Sequence, residues 1–457
     1  MSAYRRVRFA TAATALVFGS ALGAPGAAVG AAARTVPAAS QDSSNCTSSN
    51  VAAAADQNKE PWEISVANPG NLTDQHGTSL TGDGVTVAVI DTGIQQQAQL
   101  SVAGGAVLSG ESGDAKDDDG HGTMVASIIA AKKGGGNAMQ GIAPGVRLLS
   151  MREAGCQATG GNTEDSMAAA IDDAVDQGAD VINISQDGYV ADAKLYAAVQ
   201  NAYQHGDVVV TSAGNQGDRD TTDSGGSNTD YGVNPTTYPA SYKQYVLAVG
   251  AVDQYGMVPT FSETGTAKSG YYIGVVAPGV AVEGLLPDGK LAVDDGTSFA
   301  APYVAAEAAL VIEEHGWDRS SAANTSRAYD VMKIIEATAD GDGGYNPAQG
   351  WGEADIAAAL RAPVSDTLVA PGQQIAGLTR MLGEGPNADG QTTTANAAAD
   401  QTVVKPYVAA SVDVDAQHQQ RWAFIALIGG LLVALVALAG SAVARDAARR
   451  RGGEPRP

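Results

Sequence analysis

An aspartate, a histidine and a serine stand in three short segments whose combined chemistry is acyl transfer. Asp91 ends a strand-like run in Val89-Ile90-Asp91-Thr92-Gly93, and His121 sits in Asp119-Gly120-His121-Gly122-Thr123. Ser298 lies in Asp295-Gly296-Thr297-Ser298-Phe299-Ala300-Ala301-Pro302. A serine hydroxyl is a poor nucleophile until a base takes its proton, and the base needs a third group to fix its tautomer. Each residue alone has a plainer reading: a strand-end cap, a loop histidine, an ordinary helix N-cap. In the order Asp, His, Ser they match one of the chain orders in which such a triad occurs. A fourth segment, Thr211-Ser212-Ala213-Gly214-Asn215, supplies an amide. The Asn215 NH₂ can donate to a developing oxyanion beside the backbone N–H of Ser298, whereas alone it reads as an asparagine in a turn.

The elements that must position these groups follow from periodicity. Gly84 to Ile90 is a nearly continuous β-branched run, as in a strand buried on both faces of a parallel sheet. Further strands are expected at 146–151, 181–185, 208–212 and 245–249, with helices at 122–133, 162–177 and 191–205 between them. This alternation predicts an α/β domain with a doubly wound, mostly parallel sheet. In such sheets ligands gather beyond the carboxyl ends of the strands, where Asp91 lies. Helix N-termini carrying His121 and Ser298 can open onto that edge. Pro302 is read as falling in the first turn of its helix, where its missing N–H is not needed. No convincing internal repeat stands out.

The two ends read differently. Arg5, Arg6 and Arg8 precede an uncharged, Ala-rich run to Ala33, the pattern of a secretory signal peptide over residues 1–33. Trp422 to Ala444 is uncharged and apolar throughout. At 1.5 Å per residue it spans roughly 34 Å, enough for one transmembrane helix over 421–444. The arginine-rich tail 445–457 then belongs in the cytoplasm. Residues 34–82 read as an extended lead-in without a core of its own, and 363–420 as a flexible linker. The chain's net charge is −23; three positive charges lie in the signal peptide and a net four in residues 421–457, which leaves −30 on residues 34–420. So acidic an ectodomain is a poor partner for nucleic acid. Cys46 and Cys156, an even pair in an exported chain, suggest a disulfide. No cofactor or metal is implied, and the run Asp117-Asp118-Asp119 is assigned to the loop before His121.

The segments around Asp91, His121, Asn215 and Ser298 resemble those of the subtilases. Tyr238-Pro239-Ala240, Ala277-Pro278-Gly279 and Gly350-Trp351-Gly352 fall in that family's order. The resemblance covers roughly 83–362, the expected catalytic domain. It implies a serine endopeptidase with Asp91, His121 and Ser298 as triad, Asn215 in the oxyanion hole, and a protein or peptide substrate. It also implies a cleft lined by Ser185, Gln186 and Gly188 on one side and Ala213 and Gly214 on the other. Where subtilases usually carry Ser-Leu-Gly, this chain reads Ser185-Gln186-Asp187-Gly188, which puts broad apolar preference in doubt.

The whole architecture is similar to the mycosins, membrane-anchored subtilases attached to type VII secretion systems. That likeness implies a single-pass protein of a bacterial cell membrane with its catalytic domain outside. It further implies narrow specificity, secretion-channel subunits as partners and a structural role beside proteolysis. The rival readings are a free-standing surface subtilase and a structural subunit with little proteolytic role.

Overall fold

The computed structural model describes residues 53–108, 116–154, 163–218, 234–265, 272–317, 325–341 and 344–364, with a few positions beyond, out to 375. The expected signal peptide, Cys46 and Cys156, most of the linker, the span at 421–444 and the basic tail lie outside the described residues. Among the described residues no helix is long and apolar enough to cross a membrane.

The chain enters through a short strand, β1 (Ala53–Ala54), and a six-residue helix, α1 (Trp62–Ala67). Seven strands then build one parallel sheet: β2 (Thr86–Asp91), β3 (Val102–Val107), β4 (Arg147–Arg152), β5 (Val181–Ile184), β6 (Val208–Ser212), β7 (Val246–Val252) and β8 (Val275–Pro278). Their order is β3-β4-β2-β5-β6-β7-β8. The chain therefore starts in the interior of the sheet, builds one side, and returns to build the other. β2 is the strand at which that order reverses, and Asp91 is its last residue.

Helices cover both faces. Ala88 and Ile90 of β2 face α3 (Thr163–Asp176) and α4 (Ala193–Gln204), while Val87 and Val89 point to the opposite core. That second core holds α2 (His121–Ala130), α5 (Thr297–His315) and α6 (Thr325–Thr338). Every residue of β2 is buried, which is why its sequence lacks a polar alternation. Each such Val or Ile contributes about 1.5–3 kcal/mol by leaving water. α5 is apolar on all sides and buried from Thr297 through Ile312, so it runs through the core and not over it. A small antiparallel sheet of β1, β9 (Val282–Leu285) and β10 (Leu291–Asp294) completes the fold with α7 (Ile356–Leu360).

Several expectations need correction. The lead-in is not extended throughout. Ile64, Ala67, Leu72 and Leu80 are buried in the same core as α5, so the segment borrows a core it could not build alone. Trp62 donates its indole N–H to the carbonyls of Val280 and Ala281, and β1 pairs with β10. The first core strand begins at Thr86, because Gly84 takes a left-handed turn at φ +80°. β3 and β8 carried no clear signal. β3 reads Val-Ala-Gly-Gly-Ala-Val, and a side chain at Gly105 would collide with the backbone of Ser150 on β4.

The amino edge of the sheet is held by one buried cation. Arg327 of α6 pairs with Asp180 at 2.7 Å and Asp207 at 3.2 Å, the residues preceding β5 and β6. Asp180 also accepts the Thr86 N–H at the start of β2. Removing one member of a buried charge cluster strands the others at a cost of about 3–5 kcal/mol. Arg327→Ala is therefore expected to lower unfolding free energy by that amount in a denaturant titration; a loss below about 1 kcal/mol would contradict the assignment.

Candidate active site

The carboxyl end of β2 and the first turn of α2 meet at very close range. Gly122 makes this possible: a Cβ there would collide with the carbonyl oxygen of Gly93 and stand 3.1 Å from Asp91 Oδ1. The junction is locked by Thr92, whose hydroxyl donates to Asp117 Oδ1 (2.9 Å) and accepts the Gly122 N–H (2.9 Å). Asp117 also takes the backbone N–H groups of Asp119, Gly120 and Thr123. Asp118 pairs with Arg152 at 2.8 Å. The Asp-rich run thus spends these two carboxylates on the loop that delivers His121.

Within that frame His121 Nδ1 lies 2.7 Å from Asp91 Oδ1, which also accepts the Thr92 N–H at 2.7 Å. Asp91 is fully buried and His121 partly exposed. The ring of Phe299 packs on the imidazole, centroids 5.2 Å apart. Burial alone disfavours the imidazolium, but the Asp91 charge and hydrogen bond outweigh it, with help from Asp119 and Asp294. His121 is raised to about 9. Asp294, at the end of β10, is a neighbour the sequence did not announce; burial raises its carboxyl, partly offset by the Asp295 N–H and then by His121. One oxygen of Asp91 makes two hydrogen bonds and orients the ring with its other nitrogen free to take a proton.

Ser298 is the second residue of α5 and is buried. Its hydroxyl donates to the Ser185 carbonyl at 3.0 Å, while the Ser185 hydroxyl donates to the Ser298 carbonyl at 2.8 Å. Asn183 Nδ2 holds that second hydroxyl at 2.9 Å. Pro302 explains the exchange and corrects the sequence reading. It is the sixth residue of α5, beyond the first turn, so its absent N–H leaves the Ser298 carbonyl without its helical donor. Ser185 fills that vacancy. The helix N-terminus leaves the Ser298 N–H without a helical acceptor and adds a favourable dipole for an anion.

Asn215 stands beside this end of α5. Its Oδ1 accepts the N–H (2.9 Å) and the hydroxyl (3.0 Å) of Thr297, and the Thr297 hydroxyl accepts the Gly214 N–H at 3.1 Å. Those bonds fix the amide so that Nδ2 remains a donor. Ser185, Gln186 and Gly188 follow β5, and Ala213 and Gly214 follow β6; Ser185 meets Ser298 and Gly214 meets Thr297 directly. Gly188 exchanges both backbone hydrogen bonds with Tyr238, which holds its segment extended. Sequence reasoning missed Glu263. It is buried against Gly214, and its own N–H donates to the Gly214 carbonyl at 3.0 Å.

Residues 82–352, more than half of the chain, match the model of the subtilase family. Subtilisin Savinase of Lederbergia lenta is 35% identical over 256 residues, 56% of this chain and 85% of that protein. The alkaline protease of Alkalihalobacillus alcalophilus matches at the same identity across 60% of its own length. Among solved structures, MycP1 from Mycobacterium smegmatis is similar with a TM-score of 0.55 and 27% identity, over 71% of this chain and 92% of that one. The MycP3 protease from the type VII (ESX-3) secretion system is similar with a TM-score of 0.54 and 29% identity, over 68% and 92%. With residues 82–352 matching that family model and a parallel sheet that ends β2 on Asp91, the chain belongs to the subtilase family of serine proteases.

Proposed function

We propose that the protein is a serine endopeptidase in which Asp91, His121 and Ser298 form the catalytic triad. The observation that carries the reading is the 2.7 Å bond between a fully buried Asp91 and His121, at the strand end faced by the N-terminus of α5. The Ser298 hydroxyl turns from the Ser185 carbonyl to His121 Nε2 and attacks the scissile carbonyl as the imidazole takes its proton. The charge on the carbonyl oxygen is met by the Ser298 N–H and Asn215 Nδ2. His121 then returns the proton to the departing amine, and water repeats the sequence on the acyl-enzyme. Asp91 keeps Nδ1 protonated and stabilises the imidazolium between the two steps. The substrate lies extended between Ser185-Gln186-Asp187-Gly188 and Ala213-Gly214.

The domain is held at the outer face of a bacterial membrane by the expected helix at 421–444, and it works with narrow specificity beside a type VII secretion channel. The support is the likeness to MycP1 and MycP3, together with the apolar run before the arginine-rich tail. On this reading the folded domain and its anchor also serve the assembly. Ser298→Ala should abolish peptide hydrolysis while leaving secretion and copurification with channel subunits largely intact, and deletion of the whole chain should abolish secretion. Residual turnover in Ser298→Ala at the wild-type level would contradict the triad; secretion lost as completely as in the deletion would contradict the structural role. Asn215→Ala is expected to lower kcat by about 10²–10³-fold, the magnitude measured for that donor in subtilisin.

The raised imidazole makes a second prediction. A base must be neutral to accept a proton, so kcat/KM should climb with pH through the titration of His121, toward about 9. An imidazole titration followed by NMR should show the same group falling to lower pH in Asp91→Asn, where burial remains and the charge is gone. A wild-type His121 titrating at the ordinary value near 6.5 would contradict this.

A further inference from the structure

If the scissile carbonyl sits between Asn215 and the Ser298 N–H, the side chain on its acyl side falls between the two cleft walls. One wall is Gln186-Asp187-Gly188 and the other Ala213-Gly214. We propose that Glu263, with Asp187 across from it, makes this pocket select a cationic side chain, lysine or arginine, at that position of the substrate. The inference rests on the catalytic reading above and adds the substrate class.

Gly214 takes φ +113°, and a Cβ built on it would stand 2.6 Å from Glu263 Oε1 and 2.9 Å from Thr237 Cγ2. The carboxylate therefore packs directly against the backbone of the wall, at a position where only glycine leaves it room. Glu263 is fully buried; its carboxyl meets the Thr237 hydroxyl and takes a long bond of 3.4 Å from the Gln216 N–H on Oε1, while its Oε2 has no partner. No lysine or arginine among the described residues pairs with it. A buried carboxylate with an open oxygen is expensive to keep. It is consistent with a site completed from outside by a donor carrying positive charge.

The opposite wall points the same way. Asp187 is half-buried, and the Tyr189 hydroxyl hydrogen-bonds to both Asp187 and Gln216, which links the segment after β5 to the segment after β6. Burial first, then the charge of Asp187, pushes Glu263 up to about 9, and burial pushes Asp187 up to about 6. An ammonium or guanidinium between them favours the ionised form of both. An aliphatic side chain leaves the open oxygen unmet, and an acidic one meets the charge of Asp187 beside a second carboxyl group. This is the physical content of replacing the usual leucine of that segment with Gln186 and following it by Asp187.

The test compares kcat/KM for peptides that differ only in the residue before the scissile bond: Arg, Lys, Leu, Ala and Glu. The full-length protein should cleave the Arg or Lys peptide at least about 10-fold faster than the Leu peptide, with Glu slowest. In Glu263→Gln combined with Asp187→Asn, the Arg-to-Leu ratio should fall by about 10-fold or more. A ratio cancels any loss of correctly folded enzyme. Leu or Ala peptides cleaved as well as Arg, or a ratio unchanged in the double variant, would overturn the proposal. Ser298→Ala, run on the same peptides, separates the two claims. If its cleavage persists, the catalytic reading fails, and the inference with it. If cleavage stops but apolar residues are preferred, only the pocket assignment fails.

Discussion

The Asp91–His121 hydrogen bond depends on how closely the first turn of α2 can approach the carboxyl end of β2. That approach is a backbone contact, Gly122 against Gly93, with no space for any side chain between them. Thr92 and Asp117 close the junction, so the backbone that carries His121 is fixed, and the Asp91 hydrogen bond then orients its ring. A mobile loop histidine would have to be ordered anew in each encounter, at a conformational cost. Here the ordering is complete in the folded chain. The same economy applies to Ser298, whose carbonyl, freed by Pro302, is taken up by Ser185 and so registers α5 against the end of β5.

The sheet separates stability from chemistry. Its amino edge is held by Arg327 between Asp180 and Asp207, its carboxyl edge carries Asp91 against His121, and the two cores lie between. An acidic chain folded this way buries carboxyls that it must keep neutral. Glu307, inside α5, has no hydrogen-bond partner on either oxygen, and burial raises it well above the ordinary range. Glu63 of α1 accepts the Glu283 N–H and is pushed by burial up to about 8. Glu63 therefore holds a proton in the fold that the unfolded chain releases near 4.5. Its contribution favours the folded state at acid pH and is lost as pH rises from there through about 8. The attachment of the lead-in is thus strongest on the acid side of the range in which His121 becomes a free base.

Much of this was legible in the sequence, for identifiable reasons. β2 and β6 announce themselves because strands covered on both faces are uninterrupted β-branched runs, and β6 spans the residues expected. Asp91, His121, Asn215 and Ser298 could be singled out because their segments combine glycines for close approach with the donor types the chemistry needs. β3 escaped because its glycines serve contact with β4 and erase the strand signature. The lead-in read as extended and coreless because Ile64 and Leu72 are too sparse to make a core of their own, and only the fold shows the core they join. Glu263 lies far along the chain from Gly214, in a segment whose composition says nothing about its neighbour. Its meaning comes only from the contact.

The central claim is that one sheet edge makes Ser298, and no other serine, a nucleophile through His121. Reaction of the intact protein with a fluorophosphonate, followed by peptide mapping in the mass spectrometer, tests it directly. The account predicts a single phosphonylated peptide, the one containing Ser298, and loss of that adduct in His121→Ala although Ser298 remains. An adduct on a different serine, or labelling of Ser298 at an undiminished rate without His121, would contradict it.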